Sequence, residues 1–211
     1  MKRTVLLALL GVSLAACAGS LFKNKAAPPT MYMLRATRSM PAADAPGENH
    51  PADLAVLRPR VRAGLDTDRI AALYPDRHMD YYADVRWSGP LDEVLQDLTV
   101  QQFHINPGLH NVSADVSVFA STYWLEIEVT DFQAEYASAA QAPTVHVHLL
   151  ARIGSSGDRR IMGQFVADAR EPAAENRLGA IVDAYARAAD TALAQIAADV
   201  SATLAKNSEA R

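Results

Sequence analysis

Three segments in the second half of the chain alternate apolar and polar residues with the two-residue period of a half-buried strand. These segments are 113–119, 124–136 and 145–149. Along the second of them we expect the odd-numbered positions, from Leu125 to Asp131, to share one face. A turn at 154–158 leads into a further extended segment, 160–167. Together these patterns predict a meander of antiparallel strands.

The first half of the chain is less regular. Met31–Leu34 and His78–Trp87 predict strands, the second because of its aromatic residues and the turns that flank it. Leu54–Leu65 is mostly apolar, and its internal proline favours an edge strand. Arg69–Tyr74 fits either a strand or one helical turn. The segment 36–51 contains three prolines and a glycine, so we predict a long loop there.

Two segments carry apolar residues at helical spacing. Ser88 and Pro90 suit the start of a helix, and apolar residues then recur every three or four positions from Leu91 to Phe103. The longer segment, Glu175–Leu204, has an alanine-rich apolar stripe opposite charged residues. We therefore predict an α/β fold of the α+β type, with a mainly antiparallel sheet and two helices, the long C-terminal one packed on one face.

The N-terminal residues form a pattern of their own. Lys2 and Arg3 precede an apolar run, Val5–Leu10, that is shorter than the roughly 20 apolar residues needed to cross a bilayer. Small residues then precede Cys17, the only cysteine in the chain. A positive start, a short apolar run and small residues before a cleavage point are typical of a secretory signal peptide.

The sequence Leu-Ala-Ala-Cys at Leu14–Cys17 resembles the lipobox of bacterial lipoproteins. In such proteins the signal is cut between the residues equivalent to Ala16 and Cys17, the thiol receives diacylglycerol, and the new amine receives an acyl chain such as palmitate. The alternatives are an ordinary signal peptide with a chance cysteine, or a buried structural cysteine. Ala18, rather than Asp, follows the cysteine, and by the same resemblance this favours the periplasmic face of the outer membrane over the inner membrane.

These patterns divide the chain into a signal peptide at 1–16, a lipidated cysteine and tether at 17–30, a single periplasmic α/β domain at 31–205, and a disordered tail at 206–211. Half of the residues are hydrophobic, enough for a sizeable core. Loss of Lys2 and Arg3 changes the formal charge from −4 to −6. Such a charge argues against nucleic acid as the partner and against binding of anionic lipid headgroups by a cluster of basic residues. With Cys17 acylated, no disulfide is available.

Two histidines are the most suggestive candidates for a metal site. His146 and His148 lie on the same face of a predicted strand, as two metal ligands would. A third ligand is not evident, although Glu126 or Glu128 on a neighbouring strand could supply it. We favour an exposed polar face over this interpretation and predict no metal site and no cofactor beyond the lipid.

No catalytic constellation emerges from the sequence. Gly-rich phosphate loops and a nucleophile elbow are absent from it. Four aspartates without a nucleophile fit solvated turns better than acid–base pairs, namely Asp66, Asp68, Asp80 and Asp84. Seven aromatic residues fit core packing better than a lipid groove or partner surface: Tyr32, Tyr74, Tyr81, Tyr82, Trp87, Tyr123 and Trp124. We predict no enzyme activity.

Several short segments carry further sequence patterns. Arg86–Leu91 reads Arg-Trp-Ser-Gly-Pro-Leu before a predicted helix, and Leu65–Ile70 reads Leu-Asp-Thr-Asp-Arg-Ile. Together with the lipobox, the first strand after a short tether, Gly163–Phe165 and the alanine-rich final helix, these segments resemble the ABC-type transport auxiliary lipoproteins. The first is similar to that family's Arg-Trp-x-x-Pro-Leu before a helix, and the second resembles its Leu-Asp-Arg-x-x-Ile in altered order.

This resemblance implies a non-catalytic periplasmic accessory component of a lipid transport system. Its partners would be ABC transporter subunits and a protein with a mammalian-cell-entry domain, with the lipid anchor in the membrane. The resemblance leaves the partner-binding residues unknown and a homo-oligomer open. Two further functions stay open: a lipid carrier with its own acyl-chain cavity, and a lipoprotein that helps to assemble the outer membrane.

Overall fold

A computed structural model describes residues 27–36, 52–104, 109, 111–114 and 120–209. The strands are β1 (Thr30–Tyr32), β2 (Asp53–Val56), β3 (Arg60–Val61), β4 (Arg69–Leu73), β5 (Met79–Trp87), β6 (Asn111–Ser113), β7 (Tyr123–Glu135), β8 (Thr144–Ser155) and β9 (Ile161–Pro172). The helices of this part of the chain are α1 (Leu91–His104) and α2 (Leu178–Glu209).

All the strands of the described residues join one sheet, and β7 lies at its centre. One edge of β7 pairs with β8 in antiparallel fashion, and β8 pairs likewise with β9, which confirms the predicted meander for these three strands. The other edge of β7 receives β2, β3 and β4 in succession, all parallel to it. Strand β5 is antiparallel to β4, while β1 is parallel to β5 and β6 to β2. The longest ladders are antiparallel, as the sequence predicted.

Both helices share one hydrophobic core with the sheet. Helix α2 packs on β8 and β9, and α1 packs on β2, β3 and β6 and touches α2. Tyr185 of α2 is fully buried, and its hydroxyl donates to the carbonyl of Ala71 in β4 at 2.6 Å. The predicted α+β arrangement, with the long helix on one face of the sheet, is confirmed.

Several predicted boundaries change. The apolar segment Leu54–Leu65 contains most of one short strand, β2, and all of another, β3, separated by residues 57–59, and Arg69–Tyr74 contains the strand β4, which ends at Leu73. Helix α2 begins three residues later than predicted, because the carbonyl of Arg177 accepts its first helical hydrogen bond from Ile181. It also runs to Glu209, so residues 206–209 are helical and the predicted disordered tail at 206–211 is wrong for them.

Some predictions fall outside the described residues. These are the signal peptide at 1–16, Cys17, most of the tether, most of the loop at 36–51, and residues 115–119 of the predicted strand 113–119. Ser113, the first residue of that predicted strand, is the last residue of β6.

Strand β7 contains a β-bulge that changes which positions face the core. Its register against β8 shifts between Val129 and Asp131, so Thr130 is an extra residue. Odd-numbered residues such as Val129 are buried before the bulge, whereas even-numbered residues such as Phe132 are buried after it. The prediction that Asp131 shares the face of Leu125 is therefore wrong, because the bulge turns its side chain to the opposite face.

The two segments that resemble family motifs contact each other. Arg86 Nη1 lies 2.8 Å from both carboxylate oxygens of Asp68, and the Trp87 amide donates to the Asp68 carbonyl at 2.7 Å. The Leu91 amide, at the start of α1, donates to the Thr67 carbonyl at 3.1 Å. These bonds hold the start of α1 against the turn before β4, so the motif residues have a structural role.

Candidate functional site on the open face of the sheet

The sheet face opposite the helices carries most of the polar side chains of β7, β8 and β9. After the bulge, Asp131, Gln133 and Glu135 lie on this face of β7. They pair in register with β8 residues that include His146 and His148, and β9 adds Asp168 and Arg170 beside them. We call Asp131, Gln133, Glu135, His146, Asp168 and Arg170 the His146 cluster.

His146 is the centre of this cluster and is only 7% exposed. Its Nδ1 lies 2.9 Å from Glu135 Oε1 and 3.1 Å from Arg170 Nη2. Its Nε2 lies 3.2 Å from Asp168 Oδ1 but makes no hydrogen bond to any described residue. The prediction that both histidines occupy an exposed polar face is therefore wrong for His146, which neighbouring strands bury.

Gln133 organises the carboxylates of the cluster. It is 2% exposed, and its Nε2 donates to Asp131 Oδ1 and to Glu135 Oε1, both at 3.0 Å. Its Oε1 accepts a hydrogen bond from the Phe132 amide at 2.8 Å. Both ends of the side-chain amide are thus bonded, which fixes the amide orientation and the separation of the two carboxylates.

The surroundings of the two carboxylates favour their ionised forms. Burial raises the pKa of Glu135, but hydrogen bonds from Arg170, Gln133 and His146 outweigh it, so this pKa lies below its ordinary value. Burial likewise raises the pKa of Asp131, and hydrogen bonding from Gln133 with the charges of His146 and Arg62 outweighs it, so this pKa is also lowered.

These shifts predict an acid-sensitive contribution to stability. Because the folded state lowers the pKa of Glu135, this group stabilises the fold above its unfolded-state pKa near 4.5, and the contribution disappears as the pH falls through the lower folded-state value. Glu135→Gln should therefore show a smaller decline in the free energy of unfolding between about pH 5 and pH 3 than the wild type. Urea unfolding at several pH values measures this decline, and equal declines in both proteins would contradict the prediction.

A second polar group on the same face lies before the bulge. Arg60 Nη2 lies 3.3 Å from Glu126 Oε1 and 3.4 Å from Glu128 Oε2, and Arg152 lies within 3.7 Å of both carboxylates. This Arg60 cluster of Arg60, Glu126, Glu128 and Arg152 includes both glutamates that the sequence offered as partners for the histidines. These glutamates pair with arginines instead. The acidic residues beside His146 are Asp131 and Glu135, which the bulge places on its face of the sheet.

The two histidines do not converge on one point. Their ring centroids are 6.2 Å apart, and His148 Nδ1 lies 2.5 Å from Thr130 Oγ1. In contrast, one ligand atom each from Asp131, Glu135 and His146 lie within 4.8 Å of one another. Sequence reasoning missed both acidic members of this group, since their partnership with His146 depends on the bulge.

The four candidate aspartates do not assemble into an acid–base pair. Asp68 is ion-paired with Arg86 at 2.8 Å, and Asp80 accepts a hydrogen bond from the Tyr81 amide at 2.7 Å. Asp84 has a φ of 56°, within the part of β5 that bulges away from β4. Asp66 lies in the turn before β4. The absence of enzyme activity stays a prediction.

The candidate aromatic residues divide between core and surface. Trp87 is 1% exposed, whereas the other six are half-buried: Tyr32, Tyr74, Tyr81, Tyr82, Tyr123 and Trp124. Tyr82 and Tyr136 are joined by a hydrogen bond of 2.9 Å between their hydroxyls, and the Tyr136 hydroxyl donates to Asn176 Oδ1 at 2.9 Å. Core packing is therefore confirmed for Trp87, and Tyr32, Tyr81, Tyr82 and Tyr123 pack against the edge of the core. Tyr74 stacks on Tyr136, and Trp124 lies against Gly154.

The fold matches solved protein structures. Protein XCC0632 from Xanthomonas campestris, assigned to the DUF330 family, superimposes with a TM-score of 0.74 at 20% identity, covering 85% of this chain and 99% of that one. An uncharacterized protein superimposes with a TM-score of 0.63 at 17% identity, covering 82% of this chain and 99% of its own. At this identity the likeness shows a shared fold alone. No curated protein matches the chain.

A comparison of the sequence with models of protein families identifies the family. The family model of the ABC-type transport auxiliary lipoprotein component matches residues 32–197, which is most of the chain. The chain therefore belongs to the ABC-type transport auxiliary lipoproteins, and the resemblance found in its motifs is confirmed. Within the described ranges, neither helix combines the length and apolarity that a membrane crossing requires.

Proposed function

We propose that this protein is a non-catalytic accessory subunit of a lipid transport system, held by the lipid on Cys17 to the periplasmic face of the outer membrane. Its partners are the subunits of an ABC transporter and a protein with a mammalian-cell-entry domain. The single observation that carries the proposal is the family match over residues 32–197. The lipobox at Leu14–Cys17 supports the anchor.

The position of the first strand supports a domain held close to the membrane. Strand β1 begins at Thr30, so 12 residues lie between it and Cys17, and such a tether spans at most about 45 Å. Beside the tether, Met31 is 61% exposed and Met33 is 60% exposed. In the proposed orientation these methionines lie on the part of the domain nearest to the membrane.

The polar face supports a binding role rather than a reactive one. The carboxylates of the Arg60 cluster are ion-paired, and those of Asp131 and Glu135 accept hydrogen bonds from Gln133. A nucleophile or general base needs a reactive partner and a place for substrate, whereas these groups are engaged with one another. An anchored binding subunit acts by raising the local concentration of its partners.

Affinity purification from membranes tests the proposal. The full-length protein, carrying a C-terminal tag, is extracted in mild detergent after chemical cross-linking in cells, and its partners are identified by mass spectrometry. We expect enrichment of an ABC ATPase, its permease and a mammalian-cell-entry-domain protein over a mock purification from untagged cells. Recovery of outer-membrane assembly proteins in place of transporter subunits would contradict the proposal and favour the assembly function.

A further inference from the structure

The His146 cluster contains a buried histidine whose hydrogen bonding is incomplete. His146 is 93% buried, with 7% exposure, and Nε2 makes no hydrogen bond to a described residue. Buried polar atoms are nearly always bonded, so one that is not requires an explanation. The nearest acceptor, Asp168 Oδ1, is only 3.2 Å away, so a small rotation of either side chain completes this bond.

The other ring nitrogen of His146, Nδ1, lies near one hydrogen-bond acceptor and one donor, which favour opposite protonation states of this nitrogen. Nδ1 lies 2.9 Å from Glu135 Oε1, which can only accept from it when ionised, and 3.1 Å from Arg170 Nη2, which can only donate to it. A protonated Nδ1 suits Glu135 and opposes Arg170, and an unprotonated Nδ1 does the reverse. A metal cation resolves this conflict, because it binds the Nδ1 lone pair and a carboxylate oxygen together.

The distances in the cluster fit such an ion. Two ligand atoms about 2.1 Å from a metal are about 3.0 Å apart at right angles and about 3.4 Å apart at the tetrahedral angle, so the Nδ1–Oε1 separation of 2.9 Å fits the first geometry and needs a small widening for the second. Asp131 offers a third ligand atom within 4.8 Å of the other two. Since two atoms about 2.1 Å from one ion are at most about 4.2 Å apart, this carboxylate would complete the site with a small side-chain shift. The three ligands come from β7 and β8, so a bound ion would join the two strands across the bulge.

The groups around these ligands have the arrangement of a second coordination shell. Metal-bound histidines commonly donate their other N–H to a carboxylate, which is the position of Asp168 relative to Nε2. Gln133 orients both carboxylate ligands through its amide, with 3.0 Å to each. With an ion on Nδ1, Asp168 is placed to accept the Nε2–H, and Gln133 holds the two carboxylate ligands in position.

We propose that Asp131, Glu135 and His146 bind a divalent first-row transition-metal ion, with Asp168 and Gln133 as supporting residues. An imidazole among the ligands favours Zn²⁺ over Mg²⁺, and the two carboxylates also suit Mn²⁺. Arg170 is the competing cation, because its Nη1 lies 2.7 Å from Glu135 Oε2. Its side chain is 52% exposed, so it can turn into solvent when the ion binds.

Calorimetric titration of the untagged full-length protein in detergent, stripped with chelator, tests the site. We expect one Zn²⁺ or Mn²⁺ per chain, weaker binding of Mg²⁺, and a rise in melting temperature with the ion. His146→Ala should abolish the high-affinity event, and Asp168→Asn should weaken it about 10- to 100-fold. Arg170→Gln should strengthen binding, which a merely structural role of the cluster would not produce.

Matched variants make the result decisive. His148→Ala removes the other histidine of the same strand face, and Glu128→Gln removes a carboxylate of the same strand, so both should bind as the wild type does. Glu135→Gln and Asp131→Asn test the site independently if His146→Ala fails to fold. No saturable binding by the wild type would overturn the proposal. Equal losses in His146→Ala and His148→Ala would also overturn it, since they would indicate adventitious imidazole binding.

Discussion

Trp87→Ala should remove about 3–5 kcal/mol from the free energy of unfolding, the cost of deleting a large buried aromatic side chain. The indole is 1% exposed and meets two other rings edge-on, with centroid distances of 6.0 Å to Phe132 and 5.1 Å to Tyr185. It therefore joins β5 to β7 and to α2 at once. Because domains are typically stable by only about 5–15 kcal/mol, this substitution should remove a large part of the total.

Urea unfolding followed by far-ultraviolet circular dichroism measures this loss without relying on tryptophan fluorescence. Trp124→Ala is the matched control, since this half-buried indole lies on the open face against Gly154 and donates to the Ser155 carbonyl at 3.3 Å. We expect a clearly smaller loss for it. Trp87→Phe, which keeps an aromatic ring, covers the case in which the alanine variant does not fold. Equal losses for Trp87→Ala and Trp124→Ala would refute the central position of Trp87.

Local periodicity was enough to predict most elements of the fold. Helix α1 and strand β7 were placed within one residue of their observed ends, because their buried positions repeat with the helical or extended period. The pairing of β2, β3 and β4 along one edge of β7 was not predicted. Periodicity shows which face of a strand is buried but not which strand lies beside it.

The candidate site was missed for a related reason. One extra residue, Thr130, changes the face on which every later side chain of β7 lies. The alternation of apolar and polar residues continues through Asp131, so the sequence does not indicate the bulge before Phe132. His146 is buried by residues 11 and 24 positions away in the sequence, Glu135 and Arg170. The two family-like segments were recognised separately, whereas their contact through Asp68 is visible only in the fold.

Cys17→Ser should release the protein from the membrane and abolish transport activity. The hydroxyl cannot carry the thioether-linked diacylglycerol that the lipobox resemblance assigns to the thiol. Each buried CH₂ of an acyl chain contributes about 0.8 kcal/mol to membrane binding, and stable anchoring takes two chains or an equivalent pair of signals. We expect the variant to be secreted in part and to lose the local enrichment of its partners that anchoring provides. Fractionation of washed membranes against soluble periplasm measures the release.

Two controls separate the effect of the lipid anchor from effects on folding and on the choice between the inner and the outer membrane. The soluble variant should unfold at the same urea concentration as the wild type, since the substituted residue precedes the predicted domain at 31–205 in the sequence. Ala18→Asp should keep the lipid but move the protein toward the inner membrane, by the sorting rule that the resemblance implies. Mass spectrometry of the wild-type N-terminal peptide should show an acylated Cys17. A bare thiol there, or full transport by an unanchored Cys17→Ser protein, would refute the positional role of the anchor.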